Sequence, residues 1–388
     1  MSPPPATDEG DGAAPPIETR AAHLFPCAQC GAALRFSPED GALACDYCGH
    51  SQPVDSGGPF ALADARRELD YAAALREAIA ETEVETTRIS RCRSCGAATS
   101  LPDRRTATNC AFCAAPLVTD PEEHRGFRPR ALLPFLISES EARDALRRWL
   151  AGRWFAPGDL AASARAGRGM RGVYLPYWTF DADTASRYSG ERGDVYHVDR
   201  WVTVMQKGKR RKVRRRVPKI RWRPSSGRVS RHFDDVLILA SKSLPPSLSA
   251  RLARGGAFDL DGLRPYAPGY VSGFEAESYG VDLEEGFAAA RAAMDLTIRR
   301  DVRIAIGGDH QRVRHIDTQL SEVTFKHLLL PIWIAAYRYR GEPFRVIVNG
   351  RTGAVMGERP WSPWRLALAG LAAAAVLGAV FFLLAAAE

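Results

Sequence analysis

The amino-acid sequence predicts an α+β fold: two small cysteine-stapled units joined by a helix, a mixed α+β domain of two related lobes, and one C-terminal transmembrane helix. Three observations lead to this prediction. All eight cysteines lie in four Cys-x-x-Cys pairs, helix-like and strand-like segments alternate from about Phe127 to Pro360, and no charge occurs from Leu366 to Ala387. With 46% hydrophobic and 25% charged residues over 388 positions, the composition is globular and excludes wholesale disorder.

The cysteines form two copies of one pattern. The stretch CAQCGAALRFSPEDGALACDYCGH sets two Cys-x-x-Cys pairs 14 residues apart, and CRSCGAATSLPDRRTATNCAFC repeats it at an offset of 65 residues. Two residues between sulfurs let one tight turn aim both thiolates at one ion, and two such turns complete a tetrahedral site. Glycine, which suits a turn with positive φ, follows three of the pairs, and Ala114 follows the fourth. The predicted metal ligands are Cys27, Cys30, Cys45, Cys48, Cys92, Cys95, Cys110 and Cys113.

We interpret these units as rubredoxin-like zinc ribbons that hold two structural Zn2+ ions, because four thiolates leave no open coordination position. Iron in the same thiolate geometry is the alternative metal. Disulfides require an oxidising compartment, and redox catalysis requires a thioredoxin-like βαβ setting that neither repeat supplies. The spacing leaves open whether the turns pair within each repeat or across the two. Tyr47 and Phe112 occupy equivalent positions, where each is expected to cover its metal site.

The mixed domain contains two similar phrases. SESEARDALRRWLAGRW and DLEEGFAAARAAMDLTIRR predict helices, and each precedes a strand-like block. Pro176 and Trp178 of the first block match Pro331 and Trp333 of the second, which predicts a weak internal duplication, with proline expected at a strand start or edge. The predicted domains are a disordered tail (1–22), zinc ribbon 1 (23–53), a helical linker (54–90), zinc ribbon 2 (91–120), the α+β domain (121–360) and a C-terminal anchor (361–388).

The C-terminal run is interpreted as a transmembrane anchor. As a helix, residues 366–387 rise about 33 Å, against about 30 Å of hydrocarbon, and the alternative is a buried alanine-rich core helix. The predicted interfacial residues are Trp361, Trp364 and Arg365. Because basic residues precede the run and none follows it, we expect a single-pass protein of the cell membrane with its N-terminal bulk in the cytoplasm. Small residues spaced by four within the run would let another helix approach, as in a homo-oligomer.

Most of the excess positive charge lies between the two lobes. The net charge is +8, and residues 207–223 hold eleven Lys or Arg and no acid. The valines, isoleucine and tryptophans around them predict a basic hairpin over 201–223 with its turn near Lys207-Gly208. Anionic lipid heads, an acidic protein or nucleic acid would fit this charge, and a solvated loop is the alternative. The candidate anion-binding residues are Lys207, Lys209, Arg210, Arg211, Lys212, Arg214, Arg215, Arg216, Lys219, Arg221 and Arg223.

Motifs of catalysis are missing from the sequence. It contains no Gly-x-x-x-x-Gly-Lys-Ser/Thr loop, no His-Glu-x-x-His and no Gly-x-Ser-x-Gly. The segment GGDHQRVRHID gathers Asp309, His310, His315 and Asp317, but the spacing of its histidines fits neither one strand face nor one helix turn, so we interpret it as a polar loop. The sequence therefore predicts a protein that is not an enzyme.

With its paired ribbons and the phrases GVYLPYWTFDADTASRYSGERGD, FDDVLILAS, TFKHLLLPIWIAAYRYR and VNGRTGAVMGERPWS, the chain resembles a family of bacterial zinc-ribbon membrane proteins. Members are labelled transcription-factor-IIB-type zinc-ribbon proteins or primosomal replication helicases. Some relatives are encoded beside flotillin-like (SPFH) scaffold proteins and phage-shock-type membrane-stress proteins. The resemblance implies zinc at the eight cysteines and a membrane-associated assembly role.

Two functions are therefore expected. The first is a tail-anchored scaffold that recruits other proteins, such as an SPFH-type scaffold protein, to the cytoplasmic face of a membrane bilayer. The alternative is a membrane-tethered nucleic-acid binder without a helicase motor, because no nucleotide-binding loop is present.

Overall fold

The computed structural model describes residues 25–76, 83–100, 107–113, 115–118, 121–152, 169–206, 209–252, 258–339, 342–358 and 362–386, so the predicted disordered tail lies outside it. One large mixed sheet carries the helices and both cysteine units. The strands are β1 (Arg35–Ser37), β2 (Ala42–Ala44), β3 (Ser51–Gln52), β4 (Leu69–Asp70), β5 (Val84–Arg91), β6 (Ala98–Ser100), β7 (Ala107–Asn109), β8 (Pro116–Val118), β9 (Pro121–Phe127), β10 (Ala131–Leu132), β11 (Arg171–Gln206), β12 (Lys209–Leu239), β13 (Arg264–Pro265), β14 (Glu275–Glu277), β15 (His310–Tyr339), β16 (Glu342–Asn349) and β17 (Val355–Gly357). The helices are α1 (Gly58–Arg66), α2 (Tyr71–Leu75), α3 (Glu139–Ala151), α4 (Pro246–Leu252), α5 (Pro268–Val271), α6 (Leu283–Ile306) and α7 (Pro363–Ala386).

Three long strands form the centre of the large sheet. Strand β11 pairs antiparallel with β12 from Tyr177↔Leu239 to Gln206↔Lys209, and antiparallel with β15 from Arg171↔Ile334 to Gly193↔His310. The sheet runs β13-β10-β15-β11-β14-β6-β5-β9, with β12 on β11, β4 and β16 on β15, and β17 on β16. Strands of ordinary proteins have 3–10 residues. Among the described strands, β11 and β15 each pair with several neighbours in succession, whereas β12 pairs with β11 alone.

Pro176 and Pro331 lie inside these long strands, which corrects the expectation of a strand start or edge. On one side of β11, the partner changes from β14, which pairs with Tyr174, to β12, which begins at Tyr177. On one side of β15, the partner changes from β10 to β16 between Leu329 and Ile332. Because proline has no N–H to donate, each proline occupies a changeover where no such donor is required.

Helix α6 packs on the three long strands. Every fourth residue of α6 from Gly286 to Ile306 is buried, which is the spacing of one helix face. Asp282 caps the start of the helix, because its side chain accepts a hydrogen bond from the backbone N–H of Glu285 at 2.8 Å. The buried partners on the strands include Trp178, Phe180 and Phe233. A Cβ at Gly286 would lie 2.7 Å from Cδ1 of Trp178, so this glycine allows the helix to approach the sheet closely.

The tryptophans of the two similar phrases make equivalent contacts with exchanged partners. Trp178 Nε1 on β11 donates to Val281 O, just before α6, at 2.9 Å. Trp333 Nε1 on β15 donates to Ile137 O, just before α3, at 2.8 Å. Each strand therefore holds the start of the helix that precedes the other strand in the chain.

The predicted helical linker between the cysteine units contains two short helices, α1 and α2, with β4 between them and β5 after them. The run Val84–Arg91 is rich in β-branched residues, which favour a strand. Two buried cations fasten this segment to the sheet. Arg130 contacts Glu83 and Asp64, and Lys326 donates to Glu68 Oε1 at 2.8 Å.

The predicted C-terminal transmembrane anchor is corrected. Within the part of the chain that the structure describes, no helix is long and apolar enough to cross a membrane, which also overturns the predicted single-pass membrane localisation. Residues 367–380 are the longest part of α7 whose side chains the structure describes without a gap. As a helix this part rises about 21 Å, whereas the hydrocarbon core of a bilayer is about 30 Å thick. Seven of these residues are alanine, which contributes little to insertion. Of the predicted interfacial residues, Trp364 is exposed, whereas Trp361 and the side chain of Arg365 lie outside the description.

Candidate metal centres and a basic arm

Each cysteine pair of the first unit sits on a tight backbone turn. The N–H of Gly31 donates to Cys27 O at 2.9 Å, and the N–H of Gly49 donates to Cys45 O at 3.0 Å. Both glycines adopt a positive φ, 73° and 72°, as the sequence predicted. These turns point the two sulfurs of each pair toward the same point.

The second unit repeats this geometry. Gly96 N–H donates to Cys92 O at 2.8 Å with φ 76°, and Cys110 N–H donates to Ala115 O at 2.9 Å. Ala114, which stands where the other turns have glycine, lies outside the described residues.

The eight sulfurs form two clusters, one per repeat. Within each cluster the ligand atoms lie within 4.8 Å of one another, with Sγ–Sγ distances of 3.5 Å (Cys30–Cys45) and 3.6 Å (Cys95–Cys110). These distances are far longer than a disulfide bond of about 2.0 Å and close to the roughly 3.8 Å edge of a tetrahedron with 2.3 Å metal–sulfur bonds. The turns therefore pair within each repeat, and both clusters have the geometry to hold a metal ion.

Local hydrogen bonds favour a thiolate in each cluster. Backbone N–H groups of Cys48 and Tyr47 lower the pKa of the Cys45 thiol to about 7. The hydrogen bond shared by Cys95 and Cys110 lowers the pKa of Cys110 to about 5 and raises that of Cys95. Because the thiolate is the form that binds metal, each cluster has at least one ligand that loses its proton readily.

The two units differ in what surrounds them. Phe112 is fully buried in the core cluster that also contains Leu330 and Ile332, whereas Tyr47 is 85% exposed. The expectation that both rings cover their metal site therefore fails at Tyr47. The first unit instead packs through Phe36, whose N–H donates to Ser272 O at 3.0 Å and whose ring meets Tyr270 edge-on.

The basic hairpin is the outer part of a much longer hairpin. The pairing of β11 with β15 ends at Gly193↔His310. Beyond it, from Asp194↔Arg221 to Gln206↔Lys209, β12 is the one partner of β11 within the part of the chain that the structure describes. We call this two-stranded part, residues 194–206 and 209–221, the arm. At about 3.4 Å per residue its thirteen pairs extend roughly 44 Å. The ladder ends at Gln206↔Lys209, and the predicted turn near Lys207-Gly208 lies outside the described residues.

The root of the arm is fixed by Asp309, whose Oδ2 accepts from the N–H of Val195 at 2.8 Å. The segment after it, predicted as a polar loop, is the first part of strand β15, because it continues the ladder beside β11. His310 and His315 lie along this strand and do not form a metal-binding group with Asp309 and Asp317 among the described residues.

Both faces of the arm are basic. Residues directly opposite in an antiparallel pair share a face, and successive pairs alternate between faces. The first face presents the exposed side chains of Arg210, Lys212, Arg214 and Arg216, and the second those of Arg200, Arg215, Lys219 and Arg221. Asp199 pairs with Arg214 at 2.6 Å on the first face, and Arg221 lies 5.0 Å over the ring of Tyr196 on the second.

The remaining predicted cations divide into two groups. Arg223 pairs opposite Arg192 in the three-stranded part of the hairpin, outside the arm. Lys207 and the side chains of Lys209 and Arg211 lie outside the description.

A cluster that the sequence did not indicate joins Glu68, Asp181, Asp235 and Lys326. The Lys326 amine donates to Glu68 at 2.8 Å and lies 2.9 Å from Asp235, whose own N–H donates to Asp181 at 2.7 Å. Burial and the hydrogen bond with Glu68 raise the pKa of Asp181 to about 7. Burial opposes ionisation of Glu68, but its bonds to Asp181 and Lys326 hold its pKa below the ordinary value.

The cluster is brought together by backbone irregularities at one level of the sheet. The register of β11 shifts beside Asp181 on both sides, and Asp235 on β12 and Glu322 on β15 have positive φ values of 51° and 53°. Such bulges redirect side chains and leave no periodic signal in the sequence. The ammonium of Lys326 contacts Glu68 and Asp235 within this group of carboxylates. We therefore interpret the cluster as an ion-pair network and not as a metal site.

Comparison with known proteins gives a distant relative. The chain is 23% identical over 242 residues to the uncharacterized protein YdjG of Bacillus subtilis (strain 168), a match that covers 62% of this chain and 66% of that protein. No protein-family model and no solved structure matches the chain.

Proposed function

We propose that this protein is a non-enzymatic scaffold whose cysteine-stapled body holds out a basic arm that recruits an anionic macromolecular partner. The observation that carries the proposal is the arm itself, which leaves the sheet as an isolated ribbon and exposes eight basic side chains with described positions. Like charges placed across a two-stranded ribbon destabilise it, so a partner that neutralises them gains binding energy there.

The body supports this role by fixing the arm in direction. Strands β11 and β12 continue from the arm into the sheet, where the buried face of α6 packs against them. The arm is therefore an extension of the core and not a loop attached to it, so partner contacts cost little ordering of the backbone.

The proposal is tested by retention on heparin, a polyanion, as a function of salt. We expect the full-length protein to elute later than a variant with Arg210, Lys212, Arg214 and Arg216 changed to Gln. The matched control changes four exposed arginines of α6, Arg291, Arg299, Arg300 and Arg303, to Gln and removes the same charge. Equal retention of the two variants would contradict the proposal, since retention would then report net charge alone.

We further propose that the two clusters hold zinc. Four thiolates in tetrahedral geometry suit Zn2+, and iron fits the same donors. Elemental analysis of the purified protein should give two zinc atoms per chain and a colourless solution. Detection of iron together with visible thiolate-to-metal absorption would show that the clusters hold iron and not zinc.

A further inference from the structure

The arrangement of charge on the arm points to one class of partner. We infer that the arm binds duplex DNA by lying in its major groove. This inference rests on the scaffold function proposed above and names the partner that the arm recruits.

Size is the first argument. The major groove is about 12 Å wide and admits a two-stranded β-ribbon, whose strands lie about 4.8 Å apart. The arm pairs with no third strand among the described residues, so beyond Val195, whose N–H is held by Asp309, its edges are open over most of the roughly 44 Å from Asp194 to Gln206. That length exceeds one helical turn of duplex, about 34 Å.

The distribution of charge between the faces is the second argument. Each face carries four exposed basic side chains, so the arm has no neutral side. A flat acidic surface would contact one face and leave the other four cations in water. In a groove about 8.5 Å deep, the inward face meets base edges, while long arginines on the outward face reach phosphates on the two rims. The groove therefore uses both sets of charge.

The two acids on the arm, Asp194 and Asp199, offset little of this charge. Asp199 is engaged by Arg214, and Asp194 is engaged by Arg192 at the root, with an oxygen–nitrogen distance of 2.8 Å. The outer part of the arm, from Arg200 to Gln206 and from Lys209 to Arg215, contains no Asp or Glu. A binding surface for a mixed-charge protein would be expected to carry both signs.

The exposed ring of Trp201, 68% accessible beside Arg214, defines the rival ligand. A single strand would stack its bases on this ring, which typically contributes about 1–3 kcal/mol per base. A duplex keeps its bases stacked on one another, so Trp201 then contributes little. The same residue therefore separates the two kinds of nucleic acid.

The experiment measures binding of the full-length, metal-loaded protein to a labelled 30-base-pair DNA duplex and to one of its single strands over a series of salt concentrations. We expect duplex binding with a slope of log affinity against log salt between about −4 and −7, given about −0.9 per phosphate contact and eight candidate cations. The single strand should bind at least tenfold more weakly at equal salt.

Two charge variants test the groove. Changing the first face (Arg210, Lys212, Arg214, Arg216) or the second face (Arg200, Arg215, Lys219, Arg221) to Gln should each reduce the slope by about 2 to 4, whereas the α6 control leaves it unchanged. Methyl green, a major-groove ligand, should compete with the protein, and netropsin, a minor-groove ligand, should not. Trp201→Ala should change duplex affinity less than twofold.

Each contrary result has a defined meaning. Sensitivity to one face only, competition by netropsin, or tighter binding of the single strand with a tenfold loss in Trp201→Ala overturns the groove inference. Arm-dependent retention on heparin without duplex binding, or with binding to poly-glutamate instead, also overturns it and leaves the scaffold function intact. Loss of arm-dependent retention on heparin would contradict both the groove inference and the proposed scaffold function. The salt slope of the unmodified protein tests the inference even where a variant fails to fold.

Discussion

Lys326 shows how one buried charge ties distant parts of this chain together. Its side chain is 7% exposed and contacts Glu68, from the segment between the cysteine units, and Asp235, from β12. Asp181 from β11 completes the group through Glu68 and the backbone of Asp235. Partial compensation of charge at this point therefore depends on three separate segments being in place.

Replacement of Lys326 by Met should destabilise the protein by about 3 kcal/mol, because it leaves three neighbouring carboxylates without their cation. Urea unfolding followed by circular dichroism measures the change. The control is Lys242→Met, which breaks the exposed ion pair with Glu285 and should cost less than about 1 kcal/mol. Similar losses in both variants would show that the cluster contributes no more than a surface pair.

Relative to the unmodified protein, Asp181→Asn should be more stable at pH 8 than it is at pH 5. The folded-state pKa of about 7 lies above the unfolded value, so protonated Asp181 contributes stability that is complete below about pH 4 and is lost as the pH rises toward 7. Asparagine keeps the oxygen that accepts from Asp235 and does not ionise. Thermal unfolding of both proteins at the two pH values should give a double difference of about 1–2 kcal/mol after allowance for solvent screening. A double difference of zero would place the Asp181 pKa near its ordinary value.

At the scale of elements, the two cysteine units show one sequence pattern in two environments. The spacing of the cysteines predicted the eight ligands and their turns, because the turn of each Cys-x-x-Cys pair is local, but it left open which turns share a cluster. It did not predict that the second unit would be built into the sheet through β6 while the first packs on α5. That difference depends on neighbours distant in the chain, such as Glu275–Glu277, which pairs with β6.

Phe112→Ala should therefore destabilise the protein by about 3–5 kcal/mol, the usual cost of emptying a fully buried aromatic site. The equivalent change in the first unit, Tyr47→Ala, should stay within about 0.5 kcal/mol because the ring is exposed. Chemical unfolding of the two variants, with metal content checked in parallel, makes the comparison. A large loss in Tyr47→Ala would mean that this ring is covered in the folded protein.

At the scale of the whole molecule, the sequence predicted the mixed α+β class and the helices α3 and α6, since capping and periodicity are local signals. It predicted the paired strands of the basic hairpin but not that β11 and β12 extend through 36 and 31 residues. Glycines and charged residues within both strands interrupt the alternation that marks a strand, and the continuous pairing of β11 with β12 compensates for them. The apolar composition of the C-terminal run predicted a transmembrane helix, and the described part of the structure does not support it.

The exchange of tryptophan contacts predicts that neither half of the chain folds alone. In a fragment of residues 1–255, Trp178 would lack the carbonyl of Val281 and the apolar face of α6. In residues 256–388, Trp333 would lack the carbonyl of Ile137. Each fragment should give no near-ultraviolet circular dichroism, and co-expressed fragments should purify together with two metal ions. A folded, monomeric fragment would disprove this interdependence.

The two prolines inside β11 and β15 have a consequence for the fidelity of folding. Long strands without side-chain contrast tend to slide past one another, and a shift of one residue would turn every side chain to the opposite face. Any slip would move Pro176 or Pro331 away from its changeover and set a residue without an N–H against a carbonyl that needs a donor. These two residues therefore act as stops that leave the long strands one permitted alignment, and they protect a chain of this length against mispaired, aggregation-prone forms.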